Sequence, residues 1–197
     1  MLSAFLKRRD APHALAVSMT GVKMGDRVAF IGSSNGTRTA AIGAKVGLSG
    51  RAVAIVADDA LAERVRQGAA KVGVLVDVEI AEPWQLPLDD DAFELVVIDD
   101  AANLLAPLSS DQRAQVFRQA ARILRPGGRA IVLGSTPGGG LSALLSPKSS
   151  TGESFTASGG ASRTMEEHGF KSVRLLAERE HLVFVEGVKP RSAVPPT

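Results

Sequence analysis

The apolar residues of the chain gather in seven short runs, and segments with apolar residues at helical spacing lie between most of them. The runs predict strands at Arg27–Ile31, Ala52–Ala57, Leu75–Ala81, Phe93–Ile98, Ala130–Leu133, Ser172–Leu176 and His181–Glu186, and the spaced segments predict helices at Arg38–Val46, Ala60–Lys71, Asp111–Leu124 and Thr164–His168. An uninterrupted apolar run such as residues 93–98 is typical of a central strand covered on both faces. The last two runs are separated by residues 177–180 only, too few for a crossover helix, so they form an antiparallel hairpin. The pattern predicts an α/β fold with a doubly wound, mostly parallel, seven-stranded sheet that closes with this hairpin.

The organisation of the chain is that of a single domain over residues 1–188. Its 197 residues suffice for one core and are too few for two ordinary domains. Residues 1–20 predict an N-terminal helical cap. Residues 134–161, dense in Gly, Ser, Thr and Pro, predict a flexible loop region, and a loop of this length inside a compact domain is usually either functional or disordered. The Pro-rich residues 189–197 predict a frayed tail.

The turn that follows the first strand carries the strongest chemical signal. Residues 28–31 are apolar, and Gly32, Ser33, Ser34, Asn35 and Gly36 follow them directly before an Ala-rich helical stretch. Small residues in such a turn let backbone amides approach a ligand closely, and the positive end of the next helix points at it. The turn therefore predicts a nucleotide pocket, although a tight strand-to-helix connection without a ligand also fits it.

Charge balance and residue types exclude several function classes. The net charge of +2, from 23 Lys and Arg against 21 Asp and Glu, is too balanced to indicate a nucleic-acid partner. The chain has no cysteine, which excludes disulfides, thiolate nucleophiles and cysteine-based metal sites. No apolar run approaches the roughly 18 residues of a membrane span, so no transmembrane helix is predicted. The N-terminal charges follow the apolar residues, the reverse of a secretory signal, so we expect a cytoplasmic location. Leu2, Phe5 and Leu6 share one helix face, which packing on the domain explains better than a membrane-surface helix.

Five stretches, in this order, resemble the signatures of class I S-adenosylmethionine-dependent methyltransferases. They are VAFIGSSNGT at 28–37, similar to the acidic residue and G-x-G-x-G of the first motif; GRAVAIV at 50–56, similar to the second strand; LPL at 86–88 with FELVV at 93–97, similar to "LPF…FDLVV"; ILRPGGR at 123–129, similar to the "LKPGG" turn; and EEHGF at 166–170, similar to "EEAGF". The resemblance covers residues 19–188. It implies a Rossmann-like fold, S-adenosylmethionine as cofactor and methyl transfer to an acceptor. Because the sequence shows no long insertion and no nucleic-acid appendage, we expect a small-molecule acceptor, with a protein side chain as the alternative.

The chain departs from this family pattern at three positions around the expected cofactor. Ser34 stands where the family has its second glycine, Phe30 where it has an acidic residue, and Val56 where it has the acidic residue that bonds the ribose hydroxyls. Loss of a charge-assisted hydrogen bond costs roughly 1.5–3 kcal/mol, which weakens the expected binding without abolishing it. Substitutions that cluster in this way also fit an alternative function, a methyltransferase-like binding or assembly module that no longer binds the cofactor.

The resemblance also assigns cofactor contacts outside the turn. Asp58 is a candidate for the ribose hydroxyls, with capping of the next helix as the alternative. Glu82 matches the position of an acidic residue that contacts adenine, and Trp84 offers a surface for stacking. Asp99 comes at the end of the fourth strand, where such folds place ligand-binding groups.

No catalytic residue and no metal site is assigned from the sequence. The adjacent carboxylates Asp99 and Asp100 faintly resemble the aspartate of metal-dependent O-methyltransferases, but neighbouring side chains diverge and no further ligands are evident. A sulfonium is an activated donor, so methyl transfer requires alignment of the acceptor and exclusion of water more than a general base. The turn also fits the G-x-x-x-G spacing of short-chain dehydrogenases, but the chain has no tyrosine for their Tyr-x-x-x-Lys pair, which excludes that family.

Overall fold

A computed structural model describes residues 12–136 and 154–191 of the chain. The helices are α1 Ala14–Thr20, α2 Gly36–Gly43, α3 Asp59–Val72, α4 Ser110–Ile123 and α5 Gly160–Glu167, and the strands are β1 Arg27–Ile31, β2 Arg51–Val56, β3 Asp77–Ile80, β4 Phe93–Asp100, β5 Leu124–Ser135, β6 Lys171–Arg179 and β7 Leu182–Val188. The predicted apolar face of Leu2, Phe5 and Leu6, most of the predicted loop region 134–161, and residues 192–197 of the predicted tail lie outside the described residues.

All seven strands form one sheet, in the order β3-β2-β1-β4-β5-β7-β6. β1 to β5 pair in parallel, and β7 inserts antiparallel between β5 and β6. The predicted doubly wound sheet with a closing hairpin is confirmed. The hairpin turn is shorter than the predicted four residues: only Glu180 and His181 separate the strands, and their φ values of +53° and +59° are those of a two-residue type I′ turn.

Helices cover both faces of the sheet, because β1, β2 and β4 carry apolar residues on alternating sides. One core lies between the sheet and helices α4 and α5, where Phe117, Ile123 and Met165 are fully buried. The other core lies under α1, α2 and α3 and contains Phe30 and Val56. These last two side chains, which stand at positions that are acidic in the resembled family, therefore serve as core residues. No helix among residues 12–136 and 154–191 is both long and apolar enough to cross a bilayer.

The order of the strands locates a crevice. From β1 the chain winds outward to β2 and β3, and then returns to place β4 on the other side of β1. At such a reversal the connections leave the sheet in opposite directions, and the gap between them at the carboxyl ends of the strands is where α/β sheets bind ligands. The loops after β1 and β4 flank this gap.

Several predicted boundaries were wrong, and each difference has a physical reason. α2 begins at Gly36 and not at Arg38, because the Asn35 side chain accepts a hydrogen bond from the Arg38 amide and so caps the helix. β4 runs on through Asp99 and Asp100, whose carboxylates have partners inside the protein. β5 begins at Leu124, so the predicted turn 125–128 lies inside the strand. These residues form an irregular part of it, because Phe93 of β4 pairs with Leu124 whereas Leu95 pairs with Arg129.

Candidate functional site

The turn after β1 approaches β4 so closely that it requires a glycine. Gly32 has a φ of +101°, and its amide donates to the Ile55 carbonyl at 2.9 Å. A Cβ added to Gly32 would lie 2.9 Å from Leu104 Cδ2 and 3.0 Å from the Asp99 carbonyl oxygen. The missing side chain therefore lets the turn pass directly over the end of β4.

Two buried polar atoms on the loops of the crevice have no hydrogen-bond partner among the described residues. One is the hydroxyl of Ser33, which is fully buried and has a φ of +41°. The other is Oδ1 of Asn103, in the loop after β4, at a φ of +60°. Unpaired buried polar groups and left-handed backbone at residues other than glycine are both costly, and they occur together at ligand sites. Each of the two loops that flank the crevice thus holds one buried polar atom without a partner.

Asp99 anchors the turn through a buried ion pair with Arg38. Arg38 Nη2 lies 2.7 and 2.9 Å from the two carboxylate oxygens, and the two side chains are 9% and 6% exposed. Oδ2 of Asp99 also accepts from the amide and the hydroxyl of Ser34, each at 2.9 Å. A carboxylate with several charge-assisted donors offsets much of the cost of its burial. One amide of the turn is therefore already engaged by the protein itself.

The sequence analysis did not identify Arg38 as part of the site. The one local signal for it is the start of α2, which places Arg38 in the first turn of the helix. Once Asn35 is the N-cap, Arg38 stands in the first turn of α2, where a long side chain points back toward the N-terminus of the helix. Its partner is 61 residues away in the chain, so no local pattern connects the two. His13, also not assigned, lies nearby with Nε2 3.0 Å from Thr37 Oγ1. Burial and the charge of Arg38 lower the pKa of the His13 imidazole, which favours its neutral form.

Gly36 lies at the contact between helices α2 and α3. A Cβ there would lie 2.0 Å from the carbonyl oxygen of Arg64, and a Cβ on Gly68 would lie 2.3 Å from the backbone of Gly36. α2 and α3 thus cross with their backbones in contact. The absence of a side chain at position 36 is needed for this crossing.

The remaining predicted residues also lie at the carboxyl ends of the strands, on the loops that leave β2 and β3. Asp58 Oδ1 accepts from the Leu61 amide at 2.8 Å and caps α3, which was the alternative for this residue. Glu82 is exposed, and Trp84 is half-buried with its indole against the core under α4. Because Val56 and Ile80 pair in the sheet, the loops that carry Asp58 and Glu82 leave it side by side.

Asp100 joins two loops at the end of β4. Its Oδ1 accepts from the Leu105 amide at 2.8 Å, and its Oδ2 accepts from the amide and the hydroxyl of Thr156 at 3.1 and 2.7 Å. The side chains of Asp99 and Asp100 face opposite sides of the sheet, as neighbours in a strand do. The residues that the structure describes contain no group of three or more side chains arranged to hold a metal ion.

Burial raises the pKa of the Asp100 carboxyl above its ordinary 3.8, with the nearby charge of Asp99 acting in the same direction against the hydrogen bonds from Leu105 and Thr156. A raised folded-state pKa means that the folded protein binds the proton more tightly than the unfolded chain does. This contribution to the free energy of unfolding is complete below pH 3.8 and is lost as pH rises through the folded-state pKa.

We expect Asp100→Asn to lower the free energy of unfolding by about 1–3 kcal/mol, because it leaves donors of Leu105 and Thr156 unpaired, and to lower it more near pH ~4 than near pH ~8. Urea unfolding at a series of pH values measures this. Asp111→Asn, at an exposed position, is the control, and a cost that grows toward alkaline pH contradicts the assignment.

Known proteins resemble this chain in sequence. A family model described as a methyltransferase domain matches residues 28–128, which run from β1 into β5. The chain is similar to the ubiquinone/menaquinone biosynthesis C-methyltransferases UbiE of Idiomarina loihiensis and Cronobacter sakazakii, each 29% identical over 119 residues. These matches cover 59% of this chain and 45% of each relative, so the chain spans about half the length of the curated relatives it matches.

Solved structures share the fold. A SAM-dependent methyltransferase from Aquifex aeolicus superposes with a TM-score of 0.69 at 17% identity, over 91% of this chain and 94% of that one. The apo form of the S-adenosylmethionine-dependent methyltransferase SibL superposes with a TM-score of 0.67 at 21% identity, over 91% of this chain and 55% of that one. At these sequence identities the similarity shows a shared fold alone.

Proposed function

The chain belongs to the methyltransferase-domain family, and from that premise we propose that it transfers a methyl group from S-adenosylmethionine to a small-molecule acceptor. The observation that carries the proposal is the turn at the reversal point of the sheet. There the Ser33 hydroxyl is buried, lies on strained backbone and has no partner among the described residues. A ligand with polar groups in the crevice supplies the missing hydrogen bond.

The residues around the crevice suit this cofactor in their chemistry. Ser33 and the backbone of the turn would hold its methionine part, and Asn103 adds an acceptor from the loop after β4. The carboxylates of Asp58 and Glu82 and the indole of Trp84 are the candidates for ribose and adenine, on the neighbouring loops. Asp99 and Arg38 would act on the cofactor indirectly. Their ion pair holds the turn in position, because Asp99 also accepts a hydrogen bond from the Ser34 amide.

When bound, the cofactor supplies a methyl group on a sulfonium, which is already activated for transfer. The work left to the protein is to bind this donor, to align the acceptor with the methyl carbon and to keep water out. The loops after β1 and β4 perform the binding. The loop after β4 is held in place by the Asp100 carboxylate, which also ties residues 154–159 to the same edge.

The alternative is a methyltransferase-like module without cofactor binding, and two observations favour it. The Ser34 amide is engaged by Asp99, and Val56 is buried in the core where the family has a ribose-binding carboxylate. Calorimetric titration of the purified protein with S-adenosylmethionine and S-adenosylhomocysteine separates the two functions. Heat that fits micromolar binding supports the enzyme, and its absence at millimolar ligand supports the module.

Ser33→Ala gives a sharper test, because the two functions predict different results. Removing a buried hydroxyl without a partner leaves the stability of the free protein unchanged or raises it by up to about 1 kcal/mol. If the hydroxyl bonds the cofactor, affinity for S-adenosylhomocysteine falls about two- to tenfold in the same variant.

Stability is followed by urea unfolding and affinity by calorimetry. Ser49→Ala, an exposed serine at the opposite end of the sheet, is the control and should change neither quantity. Unchanged affinity in Ser33→Ala would remove this hydroxyl from the cofactor site.

A further inference from the structure

Three large apolar side chains protrude together at the end of the sheet opposite the crevice. Met24, Leu48 and Leu75 are 80%, 101% and 87% exposed, and each lies in the loop that leads into β1, β2 or β3, respectively. Leu48 and Leu75 line the same cleft of about 550 Å³. Met24 Cγ comes within 3.4 Å of the point where Gly47, the residue before Leu48, would carry a Cβ. We call Met24, Leu48 and Leu75 the basal patch.

The exposure of the basal patch has no explanation within the fold. Single exposed apolar residues are normal, but a contiguous group marks a contact surface. Elsewhere in the described residues the exposed large apolar side chains are Val72, Ile80 and Leu175, at 46%, 48% and 58%. None of them reaches the exposure of the basal patch, and Leu175 lies on β6 at the far edge of the sheet.

A lysine precedes each apolar tip in the same loop or at the end of the helix before it. Lys23, Lys45 and Lys71 lie one, three and four residues before Met24, Leu48 and Leu75, and all three are exposed. The ion pairs among the described residues include none of these lysines.

The loops that carry the basal patch, taken with the first residue of the strand that follows each of them, contain two carboxylates, Asp26 and Asp77. The Asp77 carboxylate lies 2.9 Å from Arg51 Nε, and Asp26 Oδ2 accepts from the backbone amide of Lys23. The three lysines and Arg51 outnumber these two carboxylates, so the surroundings of the patch carry a net positive charge.

We propose that the basal patch docks on an anionic lipid surface. Apolar tips on separate loops enter the boundary between headgroups and acyl chains, while the long stems of the lysines let their ammonium groups reach the phosphates. The charge argues against a second copy of the chain, because a twofold contact would place the same lysines against one another. Docking at this end leaves the crevice, at the opposite edge of the sheet, open to solvent. The proposal does not depend on the proposed function.

Sedimentation of the full chain with lipid vesicles tests the proposal. We expect binding to vesicles of phosphatidylcholine that contain one quarter phosphatidylglycerol, little binding to pure phosphatidylcholine, and weaker binding as salt is raised. Leu48→Ser with Leu75→Ser should lower the binding constant about tenfold, and Lys45→Gln with Lys71→Gln by a similar factor. Leu175→Ser, which changes an exposed leucine far from the patch, should bind as the wild type does.

Four results would overturn the proposal. The first is absence of binding to anionic vesicles, and the second is equal loss of binding in Leu175→Ser. The third is unchanged binding in the double leucine variant with loss in Phe5→Ser, which would assign the lipid contact to the N-terminal residues. The fourth is a wild-type dimer in analytical ultracentrifugation that Leu48→Ser dissociates, which would make the patch an interface between copies.

Discussion

Replacing Gly36 by alanine should destabilise the protein by about 3 kcal/mol or more. The new Cβ would lie 2.0 Å from the Arg64 carbonyl oxygen and 3.0 Å from Val65 Cα, both in the backbone of α3. Backbone atoms of a packed helix cannot rotate away as a flexible side chain does, so the two helices must separate. Urea unfolding with linear extrapolation measures the loss.

Gly43→Ala, in the same helix, is the matched control. A Cβ at position 43 would meet only side-chain atoms, Ala52 Cβ at 3.3 Å and Val76 Cγ2 at 3.5 Å. Alanine also favours helix over glycine by up to about 1 kcal/mol, so this variant should stay close to the wild type. If Gly36→Ala unfolds at the same urea concentration as Gly43→Ala, α2 and α3 are not in backbone contact.

Breaking the buried ion pair from one side should cost about 3–5 kcal/mol. Arg38→Met leaves the Asp99 carboxylate buried without its cation, and Asp99→Asn leaves the guanidinium of Arg38 without its anion. The double variant leaves no charge behind, and the amide oxygen of an asparagine at position 99 can still accept from the Ser34 amide. We expect it to recover most of the loss, so that the two single effects are strongly non-additive.

Arg51→Met provides the comparison for a pair at the surface. Its partner Asp77 is as exposed as Arg51, each side chain at 55%, and solvent screens the pair. We expect a loss below about 1 kcal/mol that shrinks further with salt, whereas the Arg38–Asp99 effect should hardly respond to salt. Additive losses in the double variant of Arg38 and Asp99 would show that the two side chains do not interact.

The strands were predictable because hydrophobic periodicity is a local signal. The run at 93–98 and the short spacing before the last strand were enough to predict a buried central strand and an antiparallel hairpin, and the structure confirms both. The ordered signatures supplied the architecture. Boundaries failed where a polar residue has a distant partner, as at Asp99 and Asp100, because sequence reasoning treats polar residues as ends of strands.

The site was less predictable, since one residue type can serve two physical roles. Glycine allows a backbone to approach either a ligand or another helix, and the sequence does not distinguish these roles. In the structure Gly32 faces the end of β4, and Gly36 faces α3. Asp58 presented the same ambiguity between a ribose contact and a helix cap, and in the structure its side chain caps α3. The Arg38–Asp99 pair depends on tertiary proximity alone.

The contacts of Asp100 have a mechanical consequence. A single carboxylate holds the loop that begins after β4 through Leu105 and the segment that precedes α5 through Thr156. Because both segments hydrogen-bond to the same side chain, we expect a displacement of one segment to shift the other. The positions of two segments that are distant in the sequence are therefore coupled through one residue.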